Sequence, residues 1–274
     1  MFLANVVLYI LTFIIGITFG SFFTLAVYRI PLGQDITHTR SYCPNCNHKL
    51  GFWDMIPIFS YLFLNGKCRY CHKRIRIRYL LLELSSGIVF TLFAVSIKFN
   101  MLNMNISTLV YLAVGFLYIA GLFIIAGIDK EKLEIRNEVI LYLIVLEAIY
   151  IIYLYIVEKT SIYRYVIYLF LLVIITVSNN LYLAHKAKNN YTLECMMLIM
   201  IFLMFTYEAC TIFTIECTLL AIAFKMLIQK ITSKKTNIKS SLKQKSNIPI
   251  GFYLCTSNII MIIAINIIVF YGRI

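Results

Sequence analysis

Long apolar segments divide most of this 274-residue chain. Eight of them approach the length of about 20 residues that a helix needs to cross roughly 30 Å of hydrocarbon. They cover residues 4–28, 79–97, 106–128, 139–157, 162–184, 193–209, 211–229 and 250–271. Inside a bilayer the backbone must satisfy its own hydrogen bonds, which a helix does. Because 61% of the residues are hydrophobic and only 14% are charged, we predict an all-α polytopic membrane protein with about eight transmembrane helices.

Basic residues are distributed unevenly between the two sides of these spans. Of the 25 Lys and Arg residues, 21 fall in or near connections on one side and four fall on the other. Positive charge concentrates on the cytoplasmic side of membrane proteins. The asymmetry predicts an external N-terminus and a cytoplasmic polar loop between the first two spans. It also predicts a cytoplasmic linker at Ser233–Asn247, either flexible or in contact with anionic lipid. No basic residue precedes Arg29, so the first span is predicted to be a retained helix rather than a cleaved signal peptide.

The polar loop contains two Cys-x-x-Cys pairs separated by 21 residues. The four cysteines are Cys43, Cys46, Cys68 and Cys71. Four thiolates at this spacing are typical of a structural zinc site, which can fold a small domain that has little apolar core. A structural disulfide pair is disfavoured in a reducing cytoplasm. The other interpretations are a loop of free thiols or a redox pair. The remaining four cysteines lie in apolar segments and are predicted to be small buried side chains.

Motifs in this region resemble one known family. They are Gly20-Ser21-Phe22-Phe23, Tyr28-Arg29-Ile30-Pro31, Ser41-x-Cys43-Pro44-x-Cys46, Trp53-Asp54-x-Ile56-Pro57, Gly66-x-Cys68-Arg69-x-Cys71 and Ile75-x-x-Arg78-Tyr79. In this order they are similar to the N-terminal region of the type IV prepilin peptidases, the prepilin leader peptidase/N-methyltransferase family. Ile248-Pro249-Ile250-Gly251 resembles a further family element, whereas Leu80 replaces the proline that usually follows Arg-Tyr.

The resemblance implies an enzyme of the bacterial cell membrane. Family members cleave the basic leader after a glycine at the cytoplasmic face, and many then N-methylate the new N-terminal residue with S-adenosylmethionine. The expected partners are prepilin or pseudopilin substrates and the lipid bilayer, with no nucleic acid. Residues 1–98 would form a methyltransferase-like half that includes the zinc loop, residues 29–78. Residues 99–274 would form a six-helix aspartyl peptidase half.

The resemblance also points to two carboxylates for proteolysis. Asp129 ends the third span and precedes Ile135-Arg136-Asn137, similar to a catalytic segment with proline in place of Arg136. The second family aspartate lies in Gly-x-Gly-Asp, a motif that this sequence lacks; Glu194 stands at the corresponding place. The longer side chain displaces its oxygens by about 1.5 Å, one carbon–carbon bond. Displacements near 1 Å can cost on the order of a hundredfold in rate. Without the resemblance, both acids would be interpreted as charges at helix ends.

Four residues are candidates for the methyl-donor site: Gly20, Arg69, Arg78 and Glu83. The resemblance places them in the half associated with methyl transfer. Glu83 is also an acid just inside a predicted span, and such acids are often functional. The alternative is that Glu83 pairs with Arg76 or Arg78, and that Gly20 serves only close helix packing. Asp54 is predicted to shape the loop.

Two other functions compete with the bifunctional enzyme. A degenerate family member would retain the zinc loop but lack proteolysis, and would then act as a methyltransferase only or as a non-enzymatic partner in pilus or secretion assembly. The absent Gly-x-Gly-Asp motif favours this alternative. An unrelated transporter or channel would explain the apolar spans, but not the cysteine pairs or the ordered motifs.

Overall fold

The computed structural model describes residues 2–36, 38, 40–186, 190–235 and 248–272. The nine α-helices of this part are α1 (Phe2–Arg29), α2 (Phe59–Phe63), α3 (Arg78–Ser96), α4 (Ile106–Lys132), α5 (Asn137–Val157), α6 (Tyr163–Lys186), α7 (Tyr191–Phe205), α8 (Glu208–Lys235) and α9 (Ile250–Tyr271). The described residues contain no β-strand beyond two isolated bridges in the loop between α1 and α3. The predicted all-α fold is confirmed. Most of the predicted linker, residues 236–247, lies outside the described residues.

Seven of the described helices are long and apolar enough to cross a membrane, and the chain is a multi-pass membrane protein. The sixth predicted span corresponds to α7, which has only 15 residues. The turn from α7 to α8 lies at residues 206–207 rather than at the predicted junction near residue 210. Glu208 begins α8, where the positive end of the helix dipole favours an acid. Apolar length alone therefore placed this junction about one turn too late.

Two compact units divide the chain, and they differ from the sequence-based halves. One comprises Met1–Gly127 with Ile263–Ile274, and the other comprises Ile128–Ile262. The functional division at residue 98 stays a prediction.

Small residues allow α1 and α3 of the first unit to pack closely. The Ser86 hydroxyl donates a hydrogen bond to the Gly16 carbonyl at 2.8 Å. A Cβ on Gly20 would overlap the Ser86 hydroxyl and lie 2.7 Å from the Glu83 Cα. Lipid chains are as apolar as the side chains of a helix, so the hydrophobic effect does not drive helices together inside a bilayer. Small residues favour helix association there because they let two backbones approach closely. The crossing brings the end of α1 beside the start of α3, where the cysteine loop joins both helices.

The short helix α7 packs against α5, α6 and α8 in the second unit. Its apolar side chains are largely buried, including those of Leu198, Ile201 and Phe202. The N-terminus of α7 is capped by Asn190, whose side chain accepts a hydrogen bond from the Thr192 backbone. This arrangement buries the first turn of α7, which carries one of the candidate acids.

Gly20→Ala should destabilise the protein because the added methyl group collides with the backbone of α3. The expected loss is about 1–3 kcal/mol, the range for overpacking a core. The loss would appear as a lower apparent Tm of the purified protein in detergent.

Gly51→Ala is the matched control, because its Cβ would meet the nearest atom at an ordinary distance of 3.4 Å. Equal melting temperatures for the two variants would contradict close packing of α1 on α3.

Candidate functional site

The four loop cysteines form one cluster of sulfur atoms. All four Sγ atoms lie within 4.8 Å of one another, and those of Cys43 and Cys71 are 3.9 Å apart. Tetrahedral zinc with Zn–S bonds of about 2.3 Å separates its sulfur ligands by roughly 3.8 Å. The cysteine cluster therefore fits the predicted structural zinc ion after small side-chain adjustments.

Each cysteine pair is held by a tight turn with the same backbone hydrogen bonds. In the first pair, Cys43 N–H donates to the His48 carbonyl and Asn47 N–H donates to the Cys43 carbonyl. In the second pair, Cys68 and His72 repeat the pattern. Asn47 and His72 both adopt a φ of 56°, in the left-handed region that asparagine and histidine visit more readily than most residues. The two turns aim their thiols at one point.

The cysteine cluster favours a thiolate at Cys43 but not at Cys46. Despite a hydrogen bond from the His48 backbone, burial and the thiols of Cys43 and Cys71 raise the pKa of Cys46 to about 11. Burial alone would raise the pKa of Cys43, but hydrogen bonds from the backbone of Asn45 and Cys46 and from neighbouring thiols outweigh it. The pKa of Cys43 is lowered to about 7. A thiolate is the form that binds zinc.

Asp54 connects both ends of the cysteine loop. Its carboxylate accepts hydrogen bonds from the Gly51 backbone at 3.1 Å, from Arg69 Nε at 2.7 Å and from the Tyr70 hydroxyl at 3.0 Å. Burial opposes ionisation of this carboxyl, but the three donors outweigh it and lower the pKa of Asp54. Because Arg69 and Tyr70 lie between Cys68 and Cys71, Asp54 orients the second cysteine pair. This agrees with the loop-shaping role expected from the sequence.

A cavity of about 670 Å³ lies between α1, α3 and the cysteine loop of the first unit. Two of the four predicted methyl-donor residues, Arg69 and Glu83, line it. Gly20 contributes instead to the helix crossing behind it. The guanidinium of Arg78 lies 5.1 Å from the ring centre of Tyr79, which also lines the cavity.

Glu83 holds the loop against α3. The carboxylate is 8% exposed, and its Oε2 accepts a hydrogen bond from the Ile58 backbone at 2.7 Å. Ser21 of α1 hydrogen-bonds to the same carboxylate. Ile58 has a φ of 63°, which is unfavourable for a β-branched residue. The hydrogen bond to Glu83 therefore fixes a strained point in the loop, in addition to presenting an acid to the cavity.

Asp129 is completely buried in the last turn of α4. The Tyr191 hydroxyl lies 2.9 and 3.0 Å from its two oxygens, and Phe252 N–H donates to Oδ2 at 2.8 Å. The Gly251 backbone in turn donates to the Tyr191 oxygen at 3.0 Å. Tyr191 begins α7 and contributes its hydroxyl, whereas Phe252 lies in the first turn of α9 and contributes its backbone N–H. The first N–H groups of a helix have no partner within that helix, so they are available to an anion.

Glu194 is completely buried in the first turn of α7. Its Oε2 accepts a long hydrogen bond of 3.4 Å from the Ile135 backbone. The Ile135 side chain also lies beside Gly251, since a Cβ on that glycine would come within 3.1 Å of both Ile135 Cδ1 and Asp129 Oδ2. We call Asp129, Ile135, Tyr191, Glu194 and Gly251 the acid cluster. It places both predicted carboxylates in one neighbourhood of the second unit.

Sequence reasoning missed the residues that hold Asp129. Tyr191 stands 62 positions from Asp129 along the chain, and no local pattern marks it as a donor to that acid. The signal that could have identified Gly251 was the family-like element Ile248-Pro249-Ile250-Gly251. That element leads into α9 and supplies the Gly251 N–H, and the Phe252 N–H follows directly after it.

A second cavity, of about 490 Å³, lies between α5 and α6 and is bounded by Met197 of α7. We call it the α5–α6 groove. Its lining is largely apolar, but it includes Asn179, which is 1% exposed and whose Oδ1 has no hydrogen-bond partner among the described residues. Met197 is three residues after Glu194, so it lies one helical turn further along the same side of α7. The groove thus extends from the neighbourhood of Glu194.

Comparison with known proteins identifies the first part of the chain. Residues 14–97 match the model of the bacterial peptidase A24 N-terminal domain. The match covers α1 from residue 14 onward, the cysteine loop and α3, and it confirms the resemblance to type IV prepilin peptidases for this part of the chain.

Three relatives carry the name prepilin leader peptidase/N-methyltransferase. The Myxococcus xanthus protein is 42% identical over 78 residues, 28% of this chain and 23% of the relative. The Vibrio cholerae protein is 39% identical over 88 residues, 29% of this chain and 35% of the relative. The Bacillus subtilis protein is 38% identical over 130 residues, 47% of this chain and 49% of the relative. The chain thus spans less than half the length of these curated relatives. No solved structure matches it.

Metal analysis of the purified protein should find about one zinc ion per chain, because the four sulfur atoms suit one tetrahedral ion. The double variant Cys43→Ser, Cys46→Ser should lose it. Its loop should then become sensitive to proteolysis, since metal binding supplies the folding energy of such small domains.

Cys217→Ser is the control for a general effect of removing cysteine, because Cys217 is exposed and lies on α8. Protein that is fully folded and free of every metal would contradict the zinc assignment.

Proposed function

We propose that this chain is a membrane aspartyl endopeptidase that removes basic leader peptides from prepilin-like proteins. Asp129 and Glu194 are its two catalytic carboxylates. The observation that carries this proposal is the complete burial of both acids in one cluster. Acids inside a membrane-spanning bundle are costly and usually mark a functional site. The names of the relatives support the substrate class.

Hydrolysis by two carboxylates requires one proton between them. The protonated carboxyl polarises the scissile carbonyl while the ionised one takes a proton from water, whose oxygen bonds to the carbonyl carbon. The tetrahedral intermediate then collapses, the C–N bond breaks and the leaving amine receives a proton. In the acid cluster, Tyr191 and Phe252 N–H orient Asp129. The absence of a side chain on Gly251 leaves space beside Asp129 Oδ2.

The substrate helix lies in the α5–α6 groove. A transmembrane substrate must place its cleavage site at the acids while its apolar helix remains in the bilayer. The first turn of that helix has backbone N–H groups with no partner in the helix, and leaving them unpaired in hydrocarbon costs several kcal/mol. The Oδ1 of Asn179, which has no partner in the part of the chain that the structure describes, accepts one of these hydrogen bonds. The distribution of Lys and Arg supports a cytoplasmic location for this end of the groove.

The first unit methylates the new N-terminus. Its cavity has a volume within the usual range of about 300–1,000 Å³ for ligand sites. Glu83 and the tyrosine rings that line it suit a cation such as a sulfonium, through charge and cation–π attraction. S-adenosylmethionine would supply an electrophilic methyl group to a free amine. Glu83 would hold the donor, and the zinc-folded loop would close the cavity with Arg69.

A methyltransferase without protease activity is the second candidate. It is favoured by the concentration of the family match in residues 14–97 and by the missing Gly-x-Gly-Asp motif. In this candidate, the extra methylene of Glu194 belongs to a peptidase site that has lost its activity. A degenerate protein that retains neither activity would act as an assembly partner.

Variants of the acid cluster separate these candidates. In reconstituted membranes containing a prepilin, Asp129→Asn and Glu194→Gln should each reduce the rate of leader removal at least about a hundredfold, because each removes an acid–base group. Glu194→Asp should retain or raise the rate. The measurement is the mass of the substrate over time.

Glu147→Gln is the matched control, because Glu147 is another buried acid of the second unit, 1% exposed, outside the acid cluster. It should cleave like the wild type. Unchanged cleavage by Asp129→Asn would refute the catalytic pair. Methylation of a pre-cleaved pilin by a wild type that cleaves nothing would establish the second candidate.

Asn179→Leu should weaken substrate binding while leaving the free protein at least as stable. The change removes a buried acceptor that has no partner among the described residues, but it also removes the proposed hydrogen bond to the substrate. A hydrogen bond of about 1 kcal/mol corresponds to a roughly fivefold rise in KM. Ser178→Ala, an exposed change on the same helix, should have no effect. A lower Tm with an unchanged KM would show that Asn179 serves only the fold.

A further inference from the structure

The cysteine loop carries a row of exposed aromatic and aliphatic side chains. We call this row the aromatic edge: Phe52 (74% exposed), Trp53 (71%), Phe59 (53%), Leu62 (57%) and Phe63 (82%). The first two residues stand on a 3₁₀ helix, Phe52–Asp54, and the other three stand on α2, which packs beside it. Side chains of this size are rarely exposed together without a partner.

One hydrogen bond fixes the depth of this edge. Ile58, which directly precedes α2, donates its N–H to Glu83 at 2.7 Å. Glu83 is five residues beyond Arg78, the first residue of α3. At 1.5 Å per residue, Glu83 lies about 7.5 Å inside that helix. Because α3 is a membrane-spanning helix, the start of α2 lies level with its first turns. The aromatic edge therefore lies at the height of the bilayer interface rather than far out in water.

The composition and charge of the surroundings fit the same location. Trp and Phe side chains favour the boundary between headgroups and acyl chains. The exposed basic residues Lys73, Arg74 and Arg76 directly precede α3. Basic residues at this position attract anionic headgroups by about 1 kcal/mol each.

We propose that the aromatic edge inserts into the bilayer interface and anchors the zinc loop to a leaflet that contains anionic lipid. The loop then has two attachments at one level, the insertion of α2 and the hydrogen bond from Ile58 to Glu83. This proposal rests on the membrane-spanning helices and the loop geometry, and it is independent of either proposed activity.

Trp53 allows a direct test, because it is the only tryptophan in the chain. The zinc-bound 274-residue chain is reconstituted into vesicles of phosphatidylcholine and phosphatidylglycerol whose acyl chains are brominated near the headgroup. We expect these lipids to quench most of the Trp53 emission, relative to unbrominated vesicles, and aqueous iodide to quench little of it. Strong quenching by iodide with none by brominated lipid would overturn the proposal.

Two double variants test whether lipid covers the aromatic edge. The double variant Phe59→Ser, Phe63→Ser should lose much of the lipid quenching while it still binds zinc, which shows that the loop is folded. The double variant Arg74→Gln, Arg76→Gln should reduce quenching in anionic vesicles and remove the difference between anionic and neutral ones. If Trp53 became shielded from iodide only after a prepilin helix was added, the aromatic edge would be a protein-docking surface. This result would overturn the lipid assignment.

Discussion

Buried carboxylates that accept backbone hydrogen bonds from distant segments hold this protein together. The Glu83 carboxylate accepts a hydrogen bond from the Ile58 N–H of the cysteine loop. In the same way, Asp129 accepts from the Phe252 N–H near the start of α9, and Glu194 accepts from the Ile135 N–H between α4 and α5. Removing a carboxylate from water is costly unless donors replace the water. Each of these acids therefore fixes the position of a chain segment, in addition to any chemistry that it performs.

The cysteine loop shows how a segment with little apolar core becomes ordered beside a membrane. Two turns with the same backbone hydrogen bonds bring the four thiols together, and Asp54 connects the second turn to the Gly51 backbone through Arg69 and Tyr70. Arg69 is thus both a structural partner of Asp54 and part of the cavity wall. A change at Arg69 would alter the loop geometry and the cavity wall together, whereas Glu83 of α3 connects the same cavity to the loop through Ile58.

Features that depend on residues close in sequence could be predicted, and those that depend on distant ones could not. Apolar length predicted the seven helices that are long enough to span a membrane, and the cysteine spacing predicted the cluster of four sulfur atoms. The sequence also singled out Asp129 and Glu194, which the fold brings into one cluster. It did not predict Tyr191 and Phe252 as donors to Asp129, because those contacts join α4 to the starts of α7 and α9. The motif groups Gly20 and Arg78 with Arg69 and Glu83, but only Arg69 and Glu83 line the cavity, while Gly20 packs against the backbone of α3 at Glu83.

The central claim is that the buried acids of the second unit form a working peptidase although Glu194 replaces an aspartate. The most direct measurement is the intact mass of pilin-like proteins from bacterial membranes in which this chain is the only prepilin-processing enzyme. The account predicts pilins that lack the leader and carry one added methyl group at the new N-terminus. Precursors that retain their leaders, in membranes where the chain is folded and zinc-bound, would contradict it.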